Sequence, residues 1–112
     1  RGRGIGLDLE EAEDLESELW PSILSPSEQD WARRQPQPGI AAKPIFSAKE
    51  AAYKAQYAVS RQLFGFETFE ITVTGIRFTA RFTNPIAPFA AGETIDGKWG
   101  VASGHILTLV TL

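Results

Sequence analysis

Apolar and polar positions alternate near the start of the chain, with Ile5, Leu7 and Leu9 set against Gly6, Asp8 and Glu10. This is the period-2 pattern of a β-strand. Asp8 and Glu10 then project from one face, about 7 Å apart along the strand. Past the acidic run Glu10-Glu11-Ala12-Glu13-Asp14, the positions of Leu15, Leu19 and Ile23 predict a short helix over Glu13 to Ile23, disturbed at Pro21. Ser25-Pro26-Ser27-Glu28 predicts a second helix running to about Arg34, with Ser25 as N-cap, Pro26 in the first turn and Glu28 as the capping-box acid. Glu28 is therefore read as a cap rather than a ligand. Gln35-Pro36-Gln37-Pro38-Gly39 is a helix-breaking loop. Ile40 to Pro44 leads into the main helix, Ile45 to Val59 or Ser60.

That helix is rich in strong helix formers and has two faces. At about 100° per residue, Ile45, Ala48, Ala52, Ala55 and Val59 make a small apolar face suited to close packing on a sheet. Phe46, Lys49, Glu50, Tyr53, Lys54 and Tyr57 lie on the opposite arc, where Glu50 and Lys54 are i,i+4 neighbours. Leu63-Phe64-Gly65-Phe66 turns the chain back into sheet. Phe69, Ile71 and Val73, then Ile76, Phe78, Ala80 and Phe82, predict an antiparallel hairpin with one buried face, turning at Gly75. Asn84 to Gly92 is a connection, and Glu93 to Val101 a strand that Asp96-Gly97 bulges or turns. Ser103-Gly104 turns into a last strand, His105 to Leu112. One strand, then helices, then three or four antiparallel strands predicts an α+β fold with one long helix packed on a mainly antiparallel sheet.

Composition narrows the chemistry. The 112 residues suffice for about one domain and contain no cysteine, which excludes disulfides, thiolate catalysis and cysteine-based zinc sites. A single histidine argues against a multi-histidine metal centre. The net charge of −3 gives no nucleic-acid signal, and no apolar run reaches the length of a membrane span. A cytoplasmic setting is the default expectation. The chain lacks methionine and opens on Arg1-Gly2-Arg3 directly before the first strand. Removal of an initiator or excision from a longer protein would each account for that.

What remains is a set of acids and lysines. Asp8 and Glu10 on a strand face, with Glu50 on the helix, suit one divalent cation with oxygen preference, Mg²⁺ or Mn²⁺ rather than zinc. Lys49 and Lys54 beside Glu50 are suited to phosphate oxygens. The simpler alternatives are two exposed acids at a strand end and a solvated helix with one Glu–Lys pair.

Gly4-Ile5-Gly6-Leu7-Asp8-Leu9-Glu10, followed by Phe46-Ser47-Ala48-Lys49-Glu50-Ala51-Ala52-Tyr53-Lys54, resembles the paired signature of the 4'-phosphopantetheinyl transferases. The helix motif, followed by Phe64-Gly65-Phe66, is most similar to the siderophore-synthase type, related to the surfactin-synthetase type. The resemblance spans residues 1–112 but corresponds to only the C-terminal lobe of such an enzyme. It implies Mg²⁺-dependent transfer of 4'-phosphopantetheine from coenzyme A to a serine of an acyl or peptidyl carrier protein, with release of 3',5'-ADP. Asp8, Glu10 and Glu50 would hold the metal, and Glu50 is the candidate base for the serine. Lys49 and Lys54 would contact coenzyme A, with Lys54 stabilising the departing phosphate. The N-terminal lobe, with its serine-histidine segment and basic residues, is not visible. The expectation is that the missing lobe or self-association completes the cleft. His105 is read as a structural strand-end histidine. Tyr53 and Tyr57 are expected to pack under the neighbouring lobe, and Trp20, Trp31 and Trp99 in the core or an interface. The alternatives are a short trimeric holo-acyl-carrier-protein synthase, a non-catalytic lobe binding coenzyme A or a carrier protein, and a plain α+β domain.

Overall fold

A computed structural model describes residues 4–112, so Arg1-Gly2-Arg3 of the opening stretch lie outside the described residues. Strand β1 (Ile5–Glu11) enters first. The segment expected to be a helix up to Ile23 is instead a 3-10 turn at Ser17–Leu19 and a single helical turn, α1 (Trp20–Ile23). Pro21 sits in the first turn of α1, where a missing N–H costs nothing, so it begins the turn rather than disturbing it. Helix α2 (Pro26–Arg33) carries the expected capping box, with Ser25 accepting from the Glu28 N–H and Glu28 from the Ser25 N–H.

Helix α3 runs from Pro38 to Ser60 and starts seven residues before the expected Ile45. Pro38 opens it, where proline is preorganised for a helix. Pro44 lies within it and leaves the Ile40 carbonyl without a helical donor, at an exposed position where water can serve. Arg61 ends the helix in the left-handed conformation.

The strands β2 (Phe69–Thr74), β3 (Arg77–Phe82), β4 (Thr94–Ala102) and β5 (His105–Thr111) complete a five-stranded sheet of order β1-β5-β4-β3-β2, antiparallel throughout. The β2–β3 hairpin has the expected register, Phe69 opposite Phe82 and Ile71 opposite Ala80. Strand β4 pairs with β3 without a bulge at Asp96-Gly97. Gly97 is there because a Cβ would lie 2.2 Å from the Phe78 ring.

Helix α3 covers one face of the sheet. Phe69, Ile71, Phe78, Ala80, Phe82, Ile95 and Val110 form the core with Ile45, Ala48, Ala51, Ala52 and Ala55. Trp20 is buried, whereas Trp31 and Trp99 are half-buried along an apolar groove with Val73, Ile76 and Val101. Against β1 the helix comes close enough for backbone contact. A Cβ at Gly6 would lie 1.7 Å from the Ala51 carbonyl oxygen, and one at Gly4 2.0 Å from that of Ala55. The apolar positions of β1 therefore face away from the helix. Ile5, Leu7 and Leu9 are exposed, while Gly6 and Asp8 are buried. Among the described residues, no helix is long and apolar enough to cross a membrane.

Candidate active site

The close approach of α3 to β1 determines what can meet between them. The helix-facing positions are Gly4, just before β1, and Gly6, Asp8 and Glu10 on it. On α3 the spacing of Ser47, Glu50 and Lys54 places them along one stripe. Asp8 is 6% exposed, and both of its carboxylate oxygens are engaged. Ser47 Oγ donates to Oδ2 at 2.8 Å, and Lys54 Nζ donates to Oδ1 at 3.1 Å and to the Leu7 carbonyl at 3.0 Å. Thr108, directly across from Asp8 on β5, brings its hydroxyl to 2.6 Å from Ser47 Oγ.

Glu10 stands two residues further along the same face. Its pKa is pushed up to about 7, first by loss of solvation, then by a hydrogen bond to Asp8 and by the negative charges of Asp8 and Glu50, against which Lys43 acts. The Glu50 carboxyl is also raised, first by burial and then by Asp8, with Lys54 opposing. Each of the three expected acids thus feels at least one of the others. Among the described residues, no three His, Cys, Asp or Glu side chains are already gathered as a coordination shell. The donor chemistry still fits a hard cation. The set is all oxygen, and burial together with the negative charge of Asp8 raises the pKa of both Glu10 and Glu50.

The two motif lysines have different surroundings. Lys54 is 49% exposed at its side chain and reaches the acids. Lys49 is 2% exposed, and its Nζ is held by Glu28 Oε1 at 2.7 Å, the Ile23 carbonyl at 2.6 Å and the Phe66 carbonyl at 3.3 Å. Glu28 also accepts from the Ile71 N–H, so its capping carboxylate ties α2, α3 and β2 together. The Lys49 ammonium is thus engaged by protein groups, while its side chain also borders the aromatic cleft.

Two clefts border the acids. One, of about 150 Å³, is lined by Lys49, Glu50, Tyr53, Phe64, Gly65, Phe66 and Phe69. Tyr53 packs edge-on against Phe64 with ring centroids 5.1 Å apart and lies 5.9 Å from Tyr57. The other is lined by Leu9, Glu10, Glu11, Lys43 and His105. His105 opens β5 as expected and contacts its own turn, Nδ1 lying 2.8 Å from the Ser103 carbonyl, yet it also borders Glu10.

Thr108 and Lys43 were not legible as site residues. A hydroxyl on a helix-facing position between Ile106 and Val110 was the available signal for Thr108. Lys43 gave none, because it fell in a segment read as lying before the helix.

The family model described as the 4'-phosphopantetheinyl transferase superfamily matches residues 4–110. The 4'-phosphopantetheinyl transferase PptT of Mycobacterium tuberculosis is 33% identical, over 98% of this chain and 52% of its own length. Npt of Nocardia iowensis is 31% identical, over 98% and 55%. The chain spans about half the length of these curated relatives. In fold it is similar to the holo-[acyl-carrier-protein] synthase of Thermotoga maritima, with a TM-score of 0.74 at 18% identity, over 97% of this chain and 62% of that one. It is also similar to the holo-ACP-synthase of Plasmodium yoelii, with a TM-score of 0.71 at 17% identity, over 99% and 96%. Both signature segments, with Asp8, Glu10 and Glu50, lie within the matched residues. The chain belongs to the 4'-phosphopantetheinyl transferase superfamily.

Proposed function

We propose that this chain is the catalytic lobe of an enzyme that transfers 4'-phosphopantetheine from coenzyme A to a serine of an acyl or peptidyl carrier protein, releasing 3',5'-ADP. The observation that carries this reading is the meeting of Asp8 and Glu10 with Glu50 and Lys54 at the β1–α3 contact, beside an aromatic cleft. Asp8, Glu10 and Glu50 would hold Mg²⁺, or Mn²⁺ in its place. Bound there, the ion supplies charge neutralisation of the pyrophosphate.

The chain's own groups supply the rest. A bond forms between the serine oxygen and phosphorus as the bond from phosphorus to 3',5'-ADP breaks. Glu50, facing the cleft beside Lys54, takes the hydroxyl proton. Lys54, on the exposed side of the acids, stabilises the departing phosphate. Tyr53, Phe64 and Phe66 give the pantetheine arm an apolar wall. Lys49 contributes to coenzyme binding by locking the wall formed at Phe66. A second lobe, for which the extra length of the longer relatives leaves room, would close the cleft, and the siderophore-synthase subtype and a cytoplasmic setting belong to the same reading.

A second reading, a short holo-acyl-carrier-protein synthase acting as a subunit of this size, is favoured by the match to nearly the whole Plasmodium yoelii chain. Against it stands the higher identity to the longer transferases. One assay separates them, following transfer from a fluorescent coenzyme A to an apo carrier protein with Mg²⁺. The chain alone should be slow or inactive, and adding the N-terminal half of a longer relative should restore turnover. Glu50→Gln should then lower that turnover about 100-fold or more. Full activity of the chain alone would favour the second reading, and no transfer with any partner would reject both.

A further inference from the structure

The two oxygens of Asp8 are held in different ways. Oδ2 accepts from Ser47 Oγ, and Ser47 and Thr108 are fully buried. A hydroxyl has one proton to donate, and that of Ser47 goes to Asp8, so Thr108 donates to Ser47. The order Thr108 to Ser47 to Asp8 fixes Oδ2 and the plane of the carboxylate. Oδ1 is held by Lys54, a long side chain half in solvent whose other contact is the Leu7 carbonyl. The enclosed Lys49 has no such freedom.

We propose that Lys54 is a stand-in cation on Asp8 Oδ1, and that it yields this oxygen when a divalent cation binds. Its ammonium is then released toward the phosphate. This rests on the metal reading above. Lys54 thereby neutralises Asp8 in the metal-free chain and becomes available to substrate only once the site is loaded. Linkage makes the effect reciprocal, so an anion that captures Lys54 also raises the affinity of the acids for the cation.

Two measurements on the chain as it stands test this, neither of them activity. In the first, Mg²⁺ is titrated while the lysine side-chain ε-carbon and ζ-nitrogen resonances are followed by NMR. The Lys54 signal should move to the position of a solvated lysine, while that of Lys49 stays. In the second, Mn²⁺ affinity is compared among the wild type, Lys54→Met and Lys43→Met by calorimetry. If Lys54 occupies Asp8 in about four molecules of five, its removal should tighten Mn²⁺ binding about fivefold. Lys43→Met removes the same charge from beside Glu10, so a general field effect would tighten both variants alike. Equal responses, or an unmoved Lys54 signal in a chain that binds Mn²⁺, would overturn the exchange and leave the metal reading standing. No Mn²⁺ binding at millimolar concentration by any of the three would overturn both.

Discussion

Lys49 and Lys54 come from one helix and one motif, yet burial separates what each can do. Removing Lys49 would leave the Glu28 carboxylate charged and enclosed, and breaking a buried pair in this way costs about 3–5 kcal/mol. The Lys54–Asp8 pair is open to solvent on the lysine side, where such pairs are worth about 0–1 kcal/mol. Lys49→Met is therefore expected to lower the urea midpoint sharply, and Lys54→Met to leave it nearly unchanged. If the proposed transfer reaction holds, Lys54→Met should lower turnover more than carrier-protein binding. Equal destabilisation by the two substitutions would show that burial does not separate these lysines. The acids make a pH prediction at the same scale. Glu10, at about 7, and Glu50 both have pKa values raised above the unfolded value, so the folded chain binds more protons than the unfolded one between those limits. That contribution to stability is complete below the unfolded carboxylate range and is lost as pH rises through about 7. The metal-free chain should melt at a higher temperature at about pH 5.5 than at about pH 8, and Glu10→Gln should flatten the difference. A wild-type profile already flat across this window would show that burial and the neighbouring charges leave these carboxyls unshifted.

At the scale of elements, the site exists because α3 lies on the bare backbone of β1. Gly4 and Gly6 on the strand, and Ala51 and Ala55 on the helix, remove the side chains that would hold the two apart. A Cβ at Gly6 meets a backbone carbonyl, which no rotamer change can relieve, so the helix must shift as a body. Gly6→Ala should destabilise the chain by about 1–3 kcal/mol, as overpacking does. It should also weaken cation binding, because Glu50 and Lys54 move with the helix. Gly100→Ala on β4 meets nothing within 4 Å and is the control, expected to leave both quantities nearly unchanged. If Gly6→Ala matched that control in denaturant titration and Mn²⁺ affinity, the close contact would not be what builds the site.

At the scale of the whole molecule, the sheet has one covered face and one that divides in two. Ile5, Leu7 and Leu9 of β1 lie beside Leu107 and Leu109 of β5, with Leu7 opposite Leu109 and Leu9 opposite Leu107. Ile5 is 66% exposed, and Leu7, Leu9 and Leu107 are exposed as well. Arg77, Thr79 and Arg81 on β3 make the other part of that face polar. Fully burying one such aliphatic side chain is worth about 1.5–3 kcal/mol, so covering the β1–β5 strip would strongly favour association. The isolated chain is expected to self-associate through this strip, or to bind the N-terminal half of a longer relative there. Leu7→Lys with Leu9→Lys should abolish concentration-dependent association in sedimentation while leaving the melting temperature almost unchanged, since both side chains are exposed. Association undiminished by these charges would mean that another surface, such as the apolar groove at Trp31 and Val101, is the contact.

Local chemistry was enough to place several of these features. Ser25-Pro26-Ser27-Glu28 closes its own capping box whatever surrounds it, and the alternation from Phe69 to Phe82 specifies a hairpin register that the sheet adopts. The three acids and Lys54 stand out as candidates because the two motifs occur together in order, not because either spacing is rare. Periodicity says which residues share a face, but not which face will be covered. Ile5, Leu7 and Leu9 read as the buried side of a strand, and only the docking of α3 against Gly4 and Gly6 turned them outward. Lys49 lay on the polar arc of a helix considered alone, but α2 packs on that arc and encloses it with Glu28. Thr108 joins Asp8 through Ser47 from a strand 100 residues further along the chain, and Pro44 stays helical because tertiary packing outweighs one lost hydrogen bond. Each of these outcomes depends on a partner distant in the chain, and pattern and propensity act only over a few neighbouring residues.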